Sequence, residues 1–309
     1  MKTFLQRFLL FCFIIASGVI VVILVSNFII NSKINYTFSS KKNILILGDS
    51  QTQCALNDTV FNNAINLSES ADTYFYSYLK LKKIIPHNTQ IDTLFLAYAP
   101  HNVTKTQDNW LVDESINGFK LPLHFFLFES SDLFNFAKIA PLQLIKNYPK
   151  VVAKNASHLF RIYKKNPINK FGIGGYKALF HELGESNTEK PASILQKKQT
   201  QYATTDLNYL KKIYNYCTNK KIKIILIATP FNQEVVGVDK PYLNKYITFA
   251  KEEIPNATLF NYSNYLMEKK FFADDVHLNH EGAKVFTKMI KNTLKLKLHS
   301  KIKTYNNDF

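Results

Sequence analysis

The sequence contains two short stretches whose residue types suit nucleophilic catalysis. The first, NILILGDSQT, is an apolar run followed by a Gly-Asp-Ser turn that ends at Ser50. The second, FFADDVHLNHEGA, contains Asp274 and His277 three positions apart. A serine nucleophile needs a base that takes its proton and a carboxylate that orients the base. The pattern predicts Ser50 as nucleophile, His277 as general base and Asp274 as the orienting carboxylate.

Other residues in and near these stretches have simpler interpretations. Ser50 also fits an ordinary turn or helix N-cap, which is the alternative to a nucleophile. Asp275 is interpreted as a solvated turn residue and His280 as a surface residue near a helix start. No metal or cofactor is implied, because no metal-ligand spacing is present among the three cysteines, Cys12, Cys54 and Cys217.

Apolar runs and amphipathic segments alternate around the two motifs. Continuous apolar runs predict strands at 43–47, 64–67, 92–99, 221–229 and 257–263. Capped or amphipathic segments predict helices at 54–63, 70–85 (with Ser70 as N-cap), 204–217, 241–254 and 280–298. This alternation predicts an α/β fold with a five-stranded parallel sheet in the order 2-1-3-4-5. The Gly-Asp-Ser motif then lies at the carboxyl edge of the first strand, where such sheets bind their ligands.

About a hundred residues after the third predicted strand, 103–200, do not follow the alternation. Residues 130–165 are predicted as two helices broken near Tyr148-Pro149, and 171–186 as a glycine-rich turn with a short helix. We expect this helical insertion to form a cap or lid beside the site.

The two motifs together resemble the SGNH/GDSL hydrolase superfamily. GDSQT follows the first strand, and DDVHLNHEGA shortly precedes the last helix. The resemblance covers roughly 43–102 and 204–296 and leaves the insertion outside it. It implies a flavodoxin-like three-layer α/β/α domain in which Ser50, Asp274 and His277 form the catalytic triad.

The resemblance also implies donors for an oxyanion, and here the chain departs from the family pattern. The family has a glycine after the second strand and an asparagine after the third, which supplement the backbone N–H of the serine. This chain has Ala71 in the first region and Asn102, without the usual Gly-x-Asn-Asp, in the second. We expect the N–H of Ala71 and the amide of Asn102 to be the donors, with His101 lining the same pocket.

The N-terminus predicts a membrane anchor. No charged residue lies between Phe8 and Ser32, and the 23-residue apolar run there would be about 35 Å long as a helix. The small residues at 16–18 resemble a signal-peptide cleavage site, but the apolar run continues beyond them, which favours an uncleaved anchor. Lys2 and Arg7 precede the run, so the positive-inside rule predicts a single-pass protein of the bacterial cytoplasmic membrane with its main domain outside.

The expected organisation is an anchor and tether over 1–42, one α/β domain with its insertion over 43–299, and a tail over 300–309. The formal charge is +16, from 39 Lys and Arg against 23 Asp and Glu. This excess fits an anionic surface or polymer, or simply the amino-acid usage of an AT-rich genome. Nucleic acid is not an expected partner, because the chain has no aromatic-basic motif and its domain is expected outside the cell.

These expectations combine into a membrane-anchored serine esterase or O-acyltransferase. Its substrate would be an acyl ester, expected to be acetyl, of a cell-envelope or exported polysaccharide, and a membrane protein that delivers the acyl donor is an expected partner. The architecture resembles the D-alanyl transfer protein of teichoic acid and the alginate O-acetylation proteins. The alternative is a catalytically degenerate domain that binds a glycan or a partner protein.

Overall fold

The computed structural model describes residues 1–166, 172–183, 201–232 and 240–299. The predicted tail at 300–309 and the last residues of the predicted short helix at 171–186 lie outside the described residues. The helices are α1 (Lys2–Lys33), α2 (Ser50–Ala55), α3 (Tyr74–Ile84), α4 (Lys105–Val112), α5 (Glu114–His124), α6 (Ser130–Ile139), α7 (Pro141–Tyr163), α8 (Thr205–Asn219), α9 (Lys240–Glu253) and α10 (His280–His299). The strands are β1 (Ile44–Leu47), β2 (Ala64–Asn66), β3 (Thr93–Ala97), β4 (Lys223–Ala228) and β5 (Thr258–Asn261).

The chain divides into two compact units, each built from separate segments. The helical unit consists of Met1–Thr37, Tyr78–Asn88 and Asp108–Ile173. The α/β unit consists of Phe38–Ser77, Thr89–Gln107 and the chain from Gly174 onward.

The α/β unit contains one five-stranded sheet in the order β2-β1-β3-β4-β5, with every neighbouring pair parallel. The predicted fold class and strand order are confirmed, and each predicted strand contains the observed one. The strands form where they were expected because parallel strands are buried on both faces and therefore read as continuous apolar runs. All four residues of β1 are buried.

The core of the α/β unit joins the sheet to the last helix. Ile46, Phe95 and Ile225 come from three adjacent strands, and they share one buried cluster with Phe286 and Ile290 of α10. Burying each of these large side chains contributes on the order of 1.5–3 kcal/mol. This packing places the residues that precede α10 against the sheet that carries the Gly-Asp-Ser turn.

Two helices of the α/β motif begin at positions that differ from the prediction. Helix α2 begins at Ser50 itself, directly after β1, rather than near residue 54. Helix α3 begins at Tyr74 rather than after Ser70, because the carboxylate of Asp206 accepts the backbone N–H groups of Tyr74 (3.1 Å) and Phe75 (3.0 Å). This cap comes from a residue more than 130 positions away, so no local pattern predicts it.

The helical unit contains most of the predicted insertion together with the N-terminal helix. Helix α7 runs unbroken through Pro149, so the predicted break near Tyr148-Pro149 is wrong. The break lies earlier, at Ala140, and Pro141 then occupies the first turn of α7, where a missing N–H costs nothing. Helix α1 packs against α7 within this unit.

Among the described residues, α1 is the one helix long and apolar enough to cross a membrane, judged by length and composition. Beyond it, the chain remains packed for several residues. The hydroxyl of Tyr36 donates to Asn31 Oδ1 at 2.9 Å, and the carbonyl of Tyr36 accepts from Asn88 Nδ2 at 2.8 Å. The first part of the segment expected to be a tether is therefore fastened to the helical unit.

Candidate active site

The turn after β1 requires glycine and presents the serine on a helix start. A Cβ on Gly48 would lie 2.3 Å from the Cβ of Ala97, so a larger residue would push β1 and β3 apart. Asp49 is the N-cap of α2, and its carboxylate accepts the N–H of Gln51 at 3.1 Å. Ser50 is the first residue of the helix, so its own N–H has no acceptor within α2.

The turn before α10 is held by its own backbone and by Asn279. The N–H of Ala273 donates to the carbonyl of His277 at 2.9 Å. Asn279 accepts the N–H of Gly282 at 3.0 Å, which caps α10, and donates to the carbonyl of Lys270 at 2.7 Å. A Cβ on Gly282 would lie 2.1 Å from the carbonyl oxygen of Phe271, so only glycine allows this helix start to approach the turn.

The structure brings Ser50, His277 and Asp274 into one continuous hydrogen-bonded chain. Ser50 Oγ lies 2.8 Å from His277 Nε2. His277 Nδ1 lies 2.8 Å and 3.0 Å from the two carboxylate oxygens of Asp274. An ionised carboxylate can only accept, so Nδ1 carries the proton and Nε2 is left to accept the serine hydroxyl hydrogen. This is the arrangement that a serine nucleophile and its base require.

The Asp274 carboxylate is stabilised in its charged form. Burial raises the pKa of Asp274, but the hydrogen bond and charge of His277 and the N–H groups of Val276 and His277 outweigh it, so the pKa lies below its ordinary value. The two backbone N–H groups lie 3.0 Å and 2.8 Å from Oδ1. The side chain of Asp274 is about half exposed, at 51%. Asp274 is therefore a fixed anion at neutral pH, suited to orient the imidazole.

Asp49 is a buried junction that the sequence motifs did not single out. Its Oδ2 lies 2.6 Å from His101 Nε2 and accepts from Asn102 Nδ2 at 2.8 Å. Burial raises the pKa of Asp49. The charge and hydrogen bond of His101 and the hydrogen bonds from Asn102 and the Thr52 N–H lower this pKa by more, so it lies below its ordinary value. A signal for this junction does exist in the sequence, because Asp49 and His101-Asn102 follow two strands predicted to be neighbours.

The predicted oxyanion residues lie on two different segments, one after β2 and one after β3. Asn102 accepts the N–H of Ala99 at 2.8 Å and gives one amide hydrogen to Asp49, so its second amide hydrogen is not used in these two contacts. His101 is directed at Asp49 through Nε2, and its Nδ1 is buried without a hydrogen-bond partner in the described part of the chain. Ala71 lies in the loop after β2 with φ +56°, a left-handed conformation that favours glycine. An alanine in this conformation is strained where a glycine would not be.

A segment of the predicted insertion borders both halves of the triad, and sequence analysis did not identify it. We call residues 174–183 the strap; it contains no helix, so the short helix predicted there is wrong. The strap is tied by backbone hydrogen bonds to the loop after β2, to α2, to the start of α10 and to the turn before α10. The bonds are Gly175 N–H to Ser68 O (3.1 Å), Lys177 N–H to Gln53 O (3.1 Å), His280 N–H to Leu179 O (2.7 Å) and Leu183 N–H to Phe272 O (2.9 Å).

Two strap residues show why its composition matters. Gly174 has φ +128°, and a Cβ there would lie 2.2 Å from the carbonyl oxygen of Leu67, so the glycine permits close approach to the loop after β2. The hydroxyl of Tyr176 lies 3.0 Å from Nδ1 of His280, which makes His280 a contact of the strap. The glycine-rich sequence therefore allows the strap to pack closely against the loop after β2.

The nearby thiol does not compete with the serine. Cys54 lies on α2, four residues after Ser50, and is buried. Burial raises the pKa of Cys54 to about 11, so the thiol stays protonated at neutral pH. This agrees with its interpretation as a packing residue.

Comparisons with solved structures give matches of low identity and low TM-score. A GDSL-like lipase from Bacteroides thetaiotaomicron is 12% identical, with a TM-score of 0.40, over 86% of this chain and 94% of that one. A putative acylhydrolase from Bacteroides fragilis is 11% identical, with a TM-score of 0.40, over 87% of this chain and 93% of that one. A family model without a descriptive name matches residues 183–299, less than half of the chain. No curated protein matches the sequence.

Proposed function

We propose that the protein is a serine esterase or O-acyltransferase of the SGNH/GDSL type, anchored in a membrane by α1. The observation that carries the proposal is the Ser50–His277–Asp274 chain, with 2.8 Å between Ser50 Oγ and His277 Nε2. The two sequence motifs that contain these residues, GDSQT and DDVHLNHEGA, resemble those of this class and support the proposal. Ser50 is not needed as the N-cap of α2, because Asp49 performs that role.

The reaction would proceed through an acyl-enzyme. Ser50 Oγ attacks the carbonyl carbon of an ester while its proton passes to His277 Nε2. The tetrahedral intermediate then collapses, the ester C–O bond breaks, and the leaving alkoxide takes the proton from His277. Water, or the hydroxyl of a sugar, gives its proton to the same nitrogen as it attacks the acyl-enzyme. The second tetrahedral intermediate then collapses, the bond between the acyl carbon and Ser50 Oγ breaks, and His277 returns the proton to Ser50 Oγ. Water makes the protein an esterase, and a sugar hydroxyl makes it a transferase.

The oxyanion would be stabilised by donors on three loops. These are the backbone N–H of Ser50, the backbone N–H of Ala71 and the second amide hydrogen of Asn102. Asp49 acts as a positioning residue, because it holds the Asn102 amide and the His101 ring next to the start of α2.

The proposed substrate is an acetylated polysaccharide of the cell envelope or for export. The α1 anchor would keep the protein at the cytoplasmic membrane with the α/β unit outside, where such polymers are modified. The net charge of +16 favours an anionic polymer. Transfer, as opposed to hydrolysis, would require a membrane protein that supplies the acyl group.

The test uses the full-length protein in detergent. Wild-type protein should hydrolyse 4-nitrophenyl acetate and react covalently with a fluorophosphonate at Ser50. Ser50→Ala should lose both properties, whereas the exposed Ser130→Ala should keep them. If Ser50→Ala keeps both, the assignment of the nucleophile is wrong.

The alternative is a catalytically degenerate domain that binds a glycan. The specific observation in its favour is the oxyanion region, where Asn102 already donates to Asp49 and an alanine takes the place of the family glycine. Wild-type protein that binds acetylated polysaccharide but neither turns over the ester nor reacts with the phosphonate would establish this alternative.

A further inference from the structure

Helix α7 buries polar side chains on its inward face. The buried residues recur every three or four positions, and four of the five are polar: Gln143, Asn147, Val151, Asn155 and His158. Such a pattern marks one face of a helix, and in a water-soluble helix that face is apolar. In α7 the buried face is mostly polar instead.

The outward face of α7 is apolar. Four large side chains on it are exposed: Leu142 by 67%, Ile145 by 72%, Phe160 by 57% and Tyr163 by 84%. Pro149, Ala153 and Ala156, also exposed, lie between them at helical spacing. At 1.5 Å per residue the stripe is roughly 30 Å long. An apolar stripe of this size on a surface marks a site that something else covers.

The same helix is basic and carries no acidic residue. Its cations are Lys146, Lys150, Lys154 and Arg161. On a helical wheel at 100° per residue they fall together, along one border of the apolar stripe. An amphipathic helix with an apolar face, aromatic residues and bordering lysines is typical of helices that lie in the interface of an anionic membrane.

Helix α1 changes character along its length. Up to Val22, the large hydrophobic side chains that the structure describes are exposed, and we call residues 2–22 the unpartnered part. From Ile23 onward one stripe is buried within the helical unit, while the other side stays exposed at Leu24, Val25, Phe28 and Ile29; the buried residues are Ile23, Asn27, Ile30 and Ile34. Because Lys2 and Arg7 are charged, the span is counted from Phe8, and the uncharged run 8–30 would be about 35 Å long, enough for the roughly 30 Å hydrocarbon core of a bilayer.

Polar hydrogen bonds fasten α7 to α1 just beyond this unpartnered part. Asn155 Nδ2 donates to Asn27 Oδ1 at 2.7 Å and to Ser26 Oγ at 2.8 Å, and Asn27 Nδ2 donates to the carbonyl of Phe125 at 3.0 Å. Asn27 is 19 residues past Phe8, or about 28 Å along the helix. The hydrocarbon core is roughly as thick. The attachment point therefore lies near the outer boundary of the core.

We propose that the outward face of α7 lies on the outer surface of the bilayer that α1 crosses, with its apolar stripe among the upper acyl chains and its lysines at anionic headgroups. The proposal rests on the membrane anchor in the proposed function and adds a second, interfacial contact. The helical insertion then serves as a collar around the exit of α1.

The test uses tryptophan fluorescence of the full-length protein in vesicles. The chain has one tryptophan, so the Trp110→Phe variant has no tryptophan fluorescence and can carry a single new tryptophan. Ile145→Trp and Phe160→Trp then report on the α7 face, and both positions are exposed, so folding should be preserved. Vesicles contain phosphatidylcholine and phosphatidylglycerol, with or without brominated acyl chains. Bromine quenches tryptophan only at contact distance.

Two further positions make the outcome decisive. Phe11→Trp, on the unpartnered part of α1, reports the anchor, and Leu266→Trp is an exposed apolar position of the α/β unit. We expect quenching at positions 145 and 160 to be at least twofold that at 266. Quenching at 11 without such an excess at 145 and 160 would overturn the interfacial proposal alone, whereas no quenching at 11 would overturn the anchor as well. Blue-shifted but unquenched emission at 145 and 160 would assign the face to a protein partner or a second copy, which also overturns the proposal.

Discussion

The sheet of the α/β unit and helix α7 of the helical unit bury opposite kinds of side chain. The α/β unit encloses apolar strands, and the polar groups of its candidate site lie where those strands end. The helical unit has buried apolar residues elsewhere, among them Leu121 and Phe126, but along α7 it buries asparagine, glutamine and histidine and leaves leucine, isoleucine and phenylalanine exposed. The proposed membrane contact of α7 would explain this contrast, because an apolar face is stable where something apolar covers it.

Buried polar groups consequently have different roles in the two units. In the α/β unit Asp49 and Asp274 fix the positions of His101 and His277. In the helical unit Asn27 and Asn155 join α1 to α7. The first kind should matter for turnover and the second for assembly, and the following changes test that division.

The largest effect should come from Asp274→Asn. An amide cannot keep the His277 Nδ1–H as the carboxylate does, so His277 is left in the wrong tautomer for accepting from Ser50. We expect ester turnover to fall by about 10³–10⁴-fold while the protein stays folded. The matched control is Asp275→Asn, which should stay within a few-fold of wild type. Equal losses of ester turnover in the two variants would show that Asp274 does not belong to the triad. Initial rates with 4-nitrophenyl acetate measure both.

Two helical glycines should respond in opposite directions. Gly282→Ala places a Cβ 2.1 Å from the Phe271 carbonyl oxygen, and we expect it to lower the free energy of unfolding by about 1–3 kcal/mol. In Gly118→Ala, on α5, the nearest atom would be the flexible end of Lys150 at 3.1 Å. Alanine is the better helix former, so stability should rise by about 0.5–1 kcal/mol. Urea unfolding measures both, and a stabilising Gly282→Ala would contradict the packing described for α10.

Asn155→Ala should weaken the junction between α7 and α1. The change removes the amide that donates to Asn27 and Ser26. The acceptor oxygens lose this hydrogen bond, which should lower the free energy of unfolding by about 1–3 kcal/mol. We expect faster proteolysis of the helical unit in detergent and unchanged fluorophosphonate labelling of Ser50. The exposed Asn109→Ala is the control. Loss of labelling in Asn155→Ala would show that the two units do not divide their tasks in this way.

The smallest effect should be a change in the pH dependence of stability caused by Asp49→Asn. The folded-state pKa of Asp49 is lowered, so its charged form stabilises the fold above the unfolded-state pKa of about 3.9. That contribution is lost as the pH falls through the folded-state pKa. Wild-type stability should therefore decline more steeply than that of Asp49→Asn below about pH 4. Thermal unfolding between pH 7 and pH 3 measures how the stability of each protein changes with pH. Parallel curves of stability against pH would contradict the lowered pKa of Asp49.

The sheet and the triad were predictable from sequence because each has a local signature. Buried parallel strands are continuous apolar runs, and the Asp-x-x-His turn is contained in four residues. The predicted strand order placed Ser50 at the carboxyl edge of the sheet, whereas its 2.8 Å distance to His277 comes from the structure.

Other features depended on contacts that no local pattern carries. The start of α3 is set by Asp206, which is distant in sequence. The strap was predicted to contain a short helix, but its backbone hydrogen bonds run to four other segments instead. Helix α7 continues through Pro149, although the local preference is for a break. Its amphipathic pattern was visible, but the sequence alone did not tell which face points outward.

Ser50 and His277 are 227 positions apart in the chain. A ribosome adds roughly 5–20 residues per second, so the histidine is made about ten to forty-five seconds after the serine. On the proposed mechanism, the hydroxyl has no group to take its proton during that interval. The order of synthesis would then keep Ser50 from being acylated before His277 has been added.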